Sequence, residues 1–182
     1  MKHALHCDLS HSLADRGWRD VEHGQALLEF IIVVALMVAV VMLMVDFGRA
    51  LNYQQVMIGL SRQGSNLASR GNTLAESADA VLIGSMPLDL AHQGSVIVTS
   101  VTNLNNVNRI SGQVWRGGLS SASKVGSGVG STATVPAGAA SMIQPGQTIY
   151  ITEVFYAYRP ITPVGRMLRF AMPATLYEAA YF

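Results

Sequence analysis

The chain has 182 residues, room for one compact domain and a further segment but not for two large domains. Its formal net charge is +1 with 13% charged residues and no block of like charges, which leaves no electrostatic footprint for a nucleic-acid backbone. A single cysteine, Cys7, excludes an intramolecular disulfide, a CxxC redox pair and a multi-cysteine zinc site.

Half of the residues are hydrophobic, and the excess is concentrated near the N-terminus. Residues 1–24 are polar and of mixed sign, with Lys2, Arg16 and Arg19 set against Asp8, Asp15, Asp20 and Glu22, and nothing in them would fold alone. Ala26 to Val45 then runs for 20 residues with Glu29 as its only charge. At about 1.5 Å per residue a helix of that length spans roughly 30 Å, the hydrocarbon thickness of a bilayer, so 26–45 is expected to cross a membrane. An ordinary secretory signal would have a short basic head, a shorter apolar core and a small-residue cleavage site beyond it, none of which fits here.

The helical pattern continues past the apolar run. Phe47, Leu51, Tyr53, Val56, Met57, Leu60, Leu67 and Ala68 recur mostly every three or four positions, which predicts one helix over 25–70, closed by Gly71-Asn72. Such a helix would be about 70 Å long, more than a bilayer needs, so its second half must pack on something else. A shorter helix is expected over 74–83, ended or interrupted by Met86-Pro87.

Beyond it the composition changes. Residues 95–102 are rich in β-branched side chains and predict a strand, and 113–116 around Trp115 a second. Residues 119–146 are rich in Ser, Gly, Ala and Thr, offer little to bury and read mostly as a flexible loop. Residues 148–159 are the strongest strand candidate, closed by Pro160 and Pro163, and 176–182 a last strand. Tyr150, Tyr156, Tyr158, Tyr177 and Tyr181 suit a core, with an exposed contact face as the alternative. The fold class is therefore α+β, a long N-terminal transmembrane helix extending into a small, mainly antiparallel exterior domain over 71–182.

The most informative stretch is Gly24-Gln25-Ala26-Leu27-Leu28-Glu29-Phe30, followed at once by Ile31-Ile32-Val33-Val34-Ala35-Leu36. It resembles the class III prepilin signal of type IV pilins and secretion pseudopilins, which an inner-membrane aspartyl peptidase cuts after the glycine. That resemblance implies cleavage between Gly24 and Gln25, with Glu29 becoming the fifth residue of the mature chain and pairing with the new N-terminal amine of a neighbouring subunit. An ionisable residue inside a span costs about 2.5 to 3.5 kcal/mol on insertion scales, so a partner is expected on physical grounds as well. The alternative is a carboxylate snorkelling to the headgroups.

Glu29-Phe30, the later Asp46-Phe47-Gly48-Arg49-Ala50 and the stretch Ile149 to Pro160 with Pro163 together resemble the TadE-like family, minor pseudopilins of tight-adherence (Flp-type) pilus systems. The N-terminal likeness covers about 24–70, and the C-terminal one is looser. The Asp46 and Arg49 cluster marks where the helix leaves the bilayer, either as ordinary solvated charges or as half of an inter-subunit ion pair. The resemblance implies a prepilin peptidase, other pilin-like subunits and inner-membrane assembly proteins as partners, beside the lipid bilayer. It implies a single-pass protein of the bacterial inner membrane with its C-terminal domain in the periplasm, able to enter the pilus.

Enzyme chemistry finds little support. Four of the five histidines, His3, His6, His11 and His23, lie in the leader at spacings that define no metal site, which leaves His92. No GxSxG, HExxH, P-loop or GxGxxG motif occurs, and Gly126-Ser127-Gly128-Val129-Gly130 lacks both the third glycine and a preceding strand. No catalytic residue, metal or cofactor is therefore assigned. Three readings stand: a pseudopilin acting in pilus initiation, capping or an inner-membrane assembly complex, an uncleaved single-pass protein whose exterior domain binds a partner or adheres, and a membrane-anchored enzyme. Cleavage after Gly24 separates the first two.

Overall fold

A computed structural model describes residues 4–135, 137–140, 143–168, 170 and 173–182, with side chains from Gly24 onward apart from those at 137 and 140. The element order is α1 (Ala4–Ser69), α2 (Leu74–Ile83), α3 (Leu90–Gln93), β1 (Gly94–Leu104), β2 (Val107–Gly117), α4 (Ala137–Ala140), β3 (Thr148–Ala157), α5 (Pro163–Met167) and β4 (Thr175–Tyr181). The α+β class and the antiparallel sheet are as the sequence predicts. The helix starts well upstream of the expected residue 25, at Ala4.

The chain forms two compact units, residues 1–45 and 46–182. In the first, the described residues are one helix whose large apolar side chains are exposed, Leu27, Phe30, Leu36 and Met44 all above 59%. A helix apolar on every face, with mean hydropathy 3.0 over its most apolar window, is long and apolar enough to cross a membrane once.

The second unit is built on a four-stranded antiparallel sheet in the order β2-β1-β3-β4. The hairpin between β1 and β2 turns on Asn105-Asn106, both at positive φ (53° and 62°). Two consecutive left-handed residues match the twist of the flanking strands, and asparagine tolerates that conformation better than most residues. This turn lengthens β2 well beyond the expected 113–116, and a register shift at Ser100/Val101 absorbs the extra residue beside Gly112.

One face of the sheet takes the outer half of α1 and all of α2. Met57, Leu60 and Ala68 from α1 and Ala78 and Val81 from α2 close over Val96, Val98, Val154, Tyr156 and Leu176. Full burial of a side chain such as Met57, with no exposed surface, contributes about 1.5 to 3 kcal/mol. A Cβ on Gly64 would fall 2.7 Å from Thr152 Cγ2 and 2.9 Å from Val81 Cγ2, so glycine is what lets α1 lie this close to the sheet. Next to it Ser65 Oγ accepts from the Thr152 amide at 3.0 Å and donates to the Ala180 carbonyl at 2.7 Å, tying the helix to both β3 and β4. The α2 start is a capping box, Thr73 with Glu76, and Gly84 closes its end.

The other face corrects one expectation. The Ser/Gly-rich segment 119–146 carries little regular structure, as read, but it does bury side chains, because its few apolar residues are spaced to meet the sheet. Val125 and Ala133 pack with Val101, Ile110 and Ile151. The Ile110 amide donates to the Ser131 carbonyl, and those of Gly130 and Ala133 to the Ile110 and Asn108 carbonyls, so the segment also covers part of the β2 edge. We call it the strap.

Candidate functional site

The residues that the sequence singles out fall in both units. Gly24, Gln25, Glu29 and Phe30 stand exposed on one continuous stretch of α1. A Cβ on Gly24 would meet nothing within 4 Å, so no packing in the fold calls for glycine at this position, although glycine weakens a helix by up to about 1 kcal/mol relative to alanine. Glu29, the one charge among the apolar side chains of 26–45, has no hydrogen-bond or ion-pair partner among the described residues.

Asp46 is different. It is fully buried, and the reading of it as an ordinary solvated charge does not hold. Its carboxylate accepts from the Ile161 amide at 2.9 Å, from the Thr162 amide at 3.3 Å and from the Thr162 hydroxyl at 2.5 Å. Its own carbonyl accepts from Tyr158 Oη at 2.6 Å. Thr162 Oγ1 also takes the Gly165 amide at 3.0 Å, capping α5, whose first residue is Pro163. A Cβ at Gly165 would land 1.9 Å from Asp46 Oδ2, so the turn must carry glycine there for the carboxylate to enter. Burial by itself pushes the Asp46 carboxyl up, but the Thr162 hydroxyl, the two amides and the nearby Arg49 charge outweigh it and hold the group below its usual range.

Among the described residues Arg49 forms no ion pair. It donates to Tyr53 Oη at 2.6 Å with its guanidinium 5.3 Å from that ring's centre, while Nη1 is buried without a hydrogen-bond partner among the described residues. Tyr53 in turn meets Tyr156 and Tyr158 edge to face at 5.4 and 6.1 Å. The fold thus brings Asp46 and Arg49 together with Tyr156, Tyr158 and Thr162. Tyr156 and Tyr158 are buried, and Tyr181 is 40% exposed, so the tyrosines do not make one exposed face.

A second polar centre escaped the sequence reading. Glu153, in the middle of β3, is fully buried and faces the strap, where it accepts from the Ser123 hydroxyl, the Lys124 amide at 2.8 Å and Tyr177 Oη at 3.1 Å. Lys124 Nζ lies 3.5 Å from the centre of the Tyr177 ring. Burial, and then the Glu153 charge, push the Tyr177 phenol well above its ordinary range, which keeps it a donor. Beside them is a groove of about 180 Å³ lined by Val125, Thr134, Ile151 and Tyr181. A buried charge with three donors is satisfied, and it locks the strap to the sheet.

The remaining histidine, His92, is exposed and bonds Asp89 at 2.9 Å, a pair local to α3. No group of three or more potential metal ligands gathers among the described residues. The Gly126 to Gly130 stretch is strap, with positive φ at all three of its glycines.

The apolar helix, Glu29 and the buried Asp46 lie along a single segment of the chain. Residues 24–66 match the TadE-like protein family. The TadE-like segment begins at Gly24, contains Glu29, Phe30, Asp46 and Arg49, and ends in the last turn of α1. The TadE-like family suggests involvement in tight-adherence pilus systems. The strands lie outside the matched residues, yet β3 and the turn after it hold Tyr156, Tyr158 and Thr162 against the TadE-like segment. No curated protein and no solved structure matches the chain.

Proposed function

We propose that the chain is a minor pseudopilin that takes part in assembling a tight-adherence type IV pilus, by initiating or capping a filament or within an inner-membrane assembly complex. The observation that carries this reading is a membrane-length helix in which, among the described residues, Gly24 has no packing role and Glu29 has no partner, inside the segment that matches TadE-like proteins. Gly48 and Gly59 on the same helix also meet nothing within 4 Å, so the reading rests on Gly24 standing together with Glu29 in the matched segment and not on Gly24 alone.

In this reading a prepilin peptidase cuts between Gly24 and Gln25. The bond sits within α1, so the peptidase must draw the backbone into an extended form, and glycine lowers that cost on both counts. The freed amine of one subunit then neutralises Glu29 of another, which offsets the cost of an acid in the bilayer only after cleavage and assembly. Phe30 and the apolar side chains to Val45 pack against neighbouring helices once they leave lipid. The leader is cytoplasmic and the unit beginning at Asp46 is periplasmic.

The test is the N-terminal sequence and intact mass of the chain recovered from membranes, with and without the peptidase. A mature chain starting at Gln25 only when the peptidase is present is the expected result. An intact leader in both samples would make the protein an uncleaved, single-pass anchor for an exterior binding domain.

A further inference from the structure

The turn that receives Asp46 carries a second feature that the Asp46 bonds to Tyr158, Ile161 and Thr162, here called the clasp, do not use. From Arg159 to Phe170 the chain exposes Ile161 at 52%, Met167 at 80% and Phe170 at 85%, and the side chains of Arg159 and Arg166 are exposed among them. Phe47, next to Asp46 on α1, is 59% exposed as well. Large apolar side chains presented this openly, interleaved with cations, are costly in water and suited to a boundary between headgroups and acyl chains.

Position says which boundary. Asp46 directly follows Val45, the last residue of the apolar run, so whatever is bonded to Asp46 lies where the chain leaves the bilayer. Ile161 and Thr162 are bonded to it at 2.9 and 3.3 Å, and Met167, the last residue of α5, and Phe170 follow five and eight residues after Thr162. Arg166 is held in place by donating to the Ile161 carbonyl at 3.1 Å and remains exposed.

We propose that residues 159–167 together with Phe170 are a second membrane contact, in which Ile161, Met167 and Phe170 enter the outer face of the bilayer while Arg159 and Arg166 meet phospholipid phosphates. The Asp46 clasp holds this contact at the mouth of the span. The proposal rests on 26–45 being the membrane span. It would fix the exterior unit against the membrane until the subunit is withdrawn from it, because extraction must free the side contact as well as the helix.

Brominated phospholipids test it by tryptophan quenching in the full chain, reconstituted into vesicles of phosphatidylethanolamine and phosphatidylglycerol. In a background with Trp18→Phe and Trp115→Phe, single reporters are placed by Phe170→Trp, Met167→Trp, Val129→Trp and Phe30→Trp. Positions 167, 170 and 129 are at least 69% exposed, so the reporters there leave the fold undisturbed. Loss of emission at 167 and 170 with bromines near the headgroups, none at 129, and a weaker loss when phosphatidylcholine replaces the anionic lipid are expected. Emission at 167 and 170 as unaffected as at 129, or lost only after another pilin subunit is added, would overturn the contact with lipid. The Phe30→Trp reporter separates the two failures: quenching there with none at 170 sinks this proposal alone, and no quenching at either sinks the span.

Discussion

Two acids stand on α1 between Gly24 and Ser69, Glu29 and Asp46, and their surroundings are opposite. Asp46 is buried with donors from Ile161 and Thr162 on its carboxylate and Tyr158 on its carbonyl. Glu29 is surrounded by exposed apolar side chains and has no partner among the described residues. An acid that the fold satisfies is holding the fold; an acid that the fold leaves alone is available to something else. Among the glycines of α1, Gly64 is crowded by neighbours, whereas Gly24, Gly48 and Gly59 meet nothing within 4 Å.

The sharpest way to break this contrast is Asp46→Ala. It leaves the Ile161 and Thr162 amides and the Thr162 hydroxyl without their acceptor in a buried turn, and the expected loss is about 3 kcal/mol in denaturant unfolding of the second unit. Acid should reproduce part of that loss. The carboxyl titrates lower in the fold than in the unfolded chain, so the clasp contributes fully above the ordinary value of 3.8 and fades as pH falls through the lower folded value. Asp46→Asn should flatten the acid limb of a stability-against-pH curve. An Asp46→Ala chain as stable as the parent would return Asp46 to the class of solvated charges.

Tyr177→Phe comes next. It removes one of three donors to buried Glu153 while keeping the ring under Lys124, and a loss of about 1 kcal/mol is expected. The readout that separates this lock from general packing is local: hydrogen exchange should quicken at Lys124 and Val125 in the strap before the β1 and β3 amides respond.

How much of this was legible follows from the kind of signal each part leaves. The helix, the span and the class of sheet are written in periodicity and composition, which act locally. The motif from Gly24 to Phe30 is local too. The Asp46 clasp joins residues more than a hundred positions apart, and nothing near Asp46 names Thr162. Thr162-Pro163 is, however, a readable helix start, a capping hydroxyl followed by proline at the first helical position. The strap departs from the flexible-loop expectation because its few apolar residues, Val125 and Ala133 among them, sit in a background of small ones yet meet the sheet. The contrary signal lies in β1, where residues 95–101 are all buried and β-branched residues occur without polar alternation. A strand that does not alternate has both faces covered, and the helices supply only one cover. The Asn105-Asn106 turn was likewise visible as a pair of residues tolerant of positive φ.

Glu29→Ala is the change with the smallest expected effect on stability and the one that most directly tests what an unpartnered acid is for. No contact within the fold is lost, so unfolding of the second unit should shift by less than about 0.5 kcal/mol, within the range of ordinary surface substitutions. Insertion should survive, and if anything improve, because the apolar run then carries no charge. Assembly should fail, because the amine exposed by cleavage would enter the packed helices with no carboxylate to meet it, and a lone buried charge costs more than a paired one. Measured together, melting, membrane fractionation and recovery of the subunit in sheared pili distinguish these effects. An Asp46→Ala chain that melts early and a Glu29→Ala chain that is stable, inserted and missing from pili would show one acid working for the fold and the other for the assembly. Normal incorporation of the Glu29→Ala chain would instead leave Glu29 a snorkelling carboxylate and move the search for the assembly contact to the apolar faces from Phe30 to Val45.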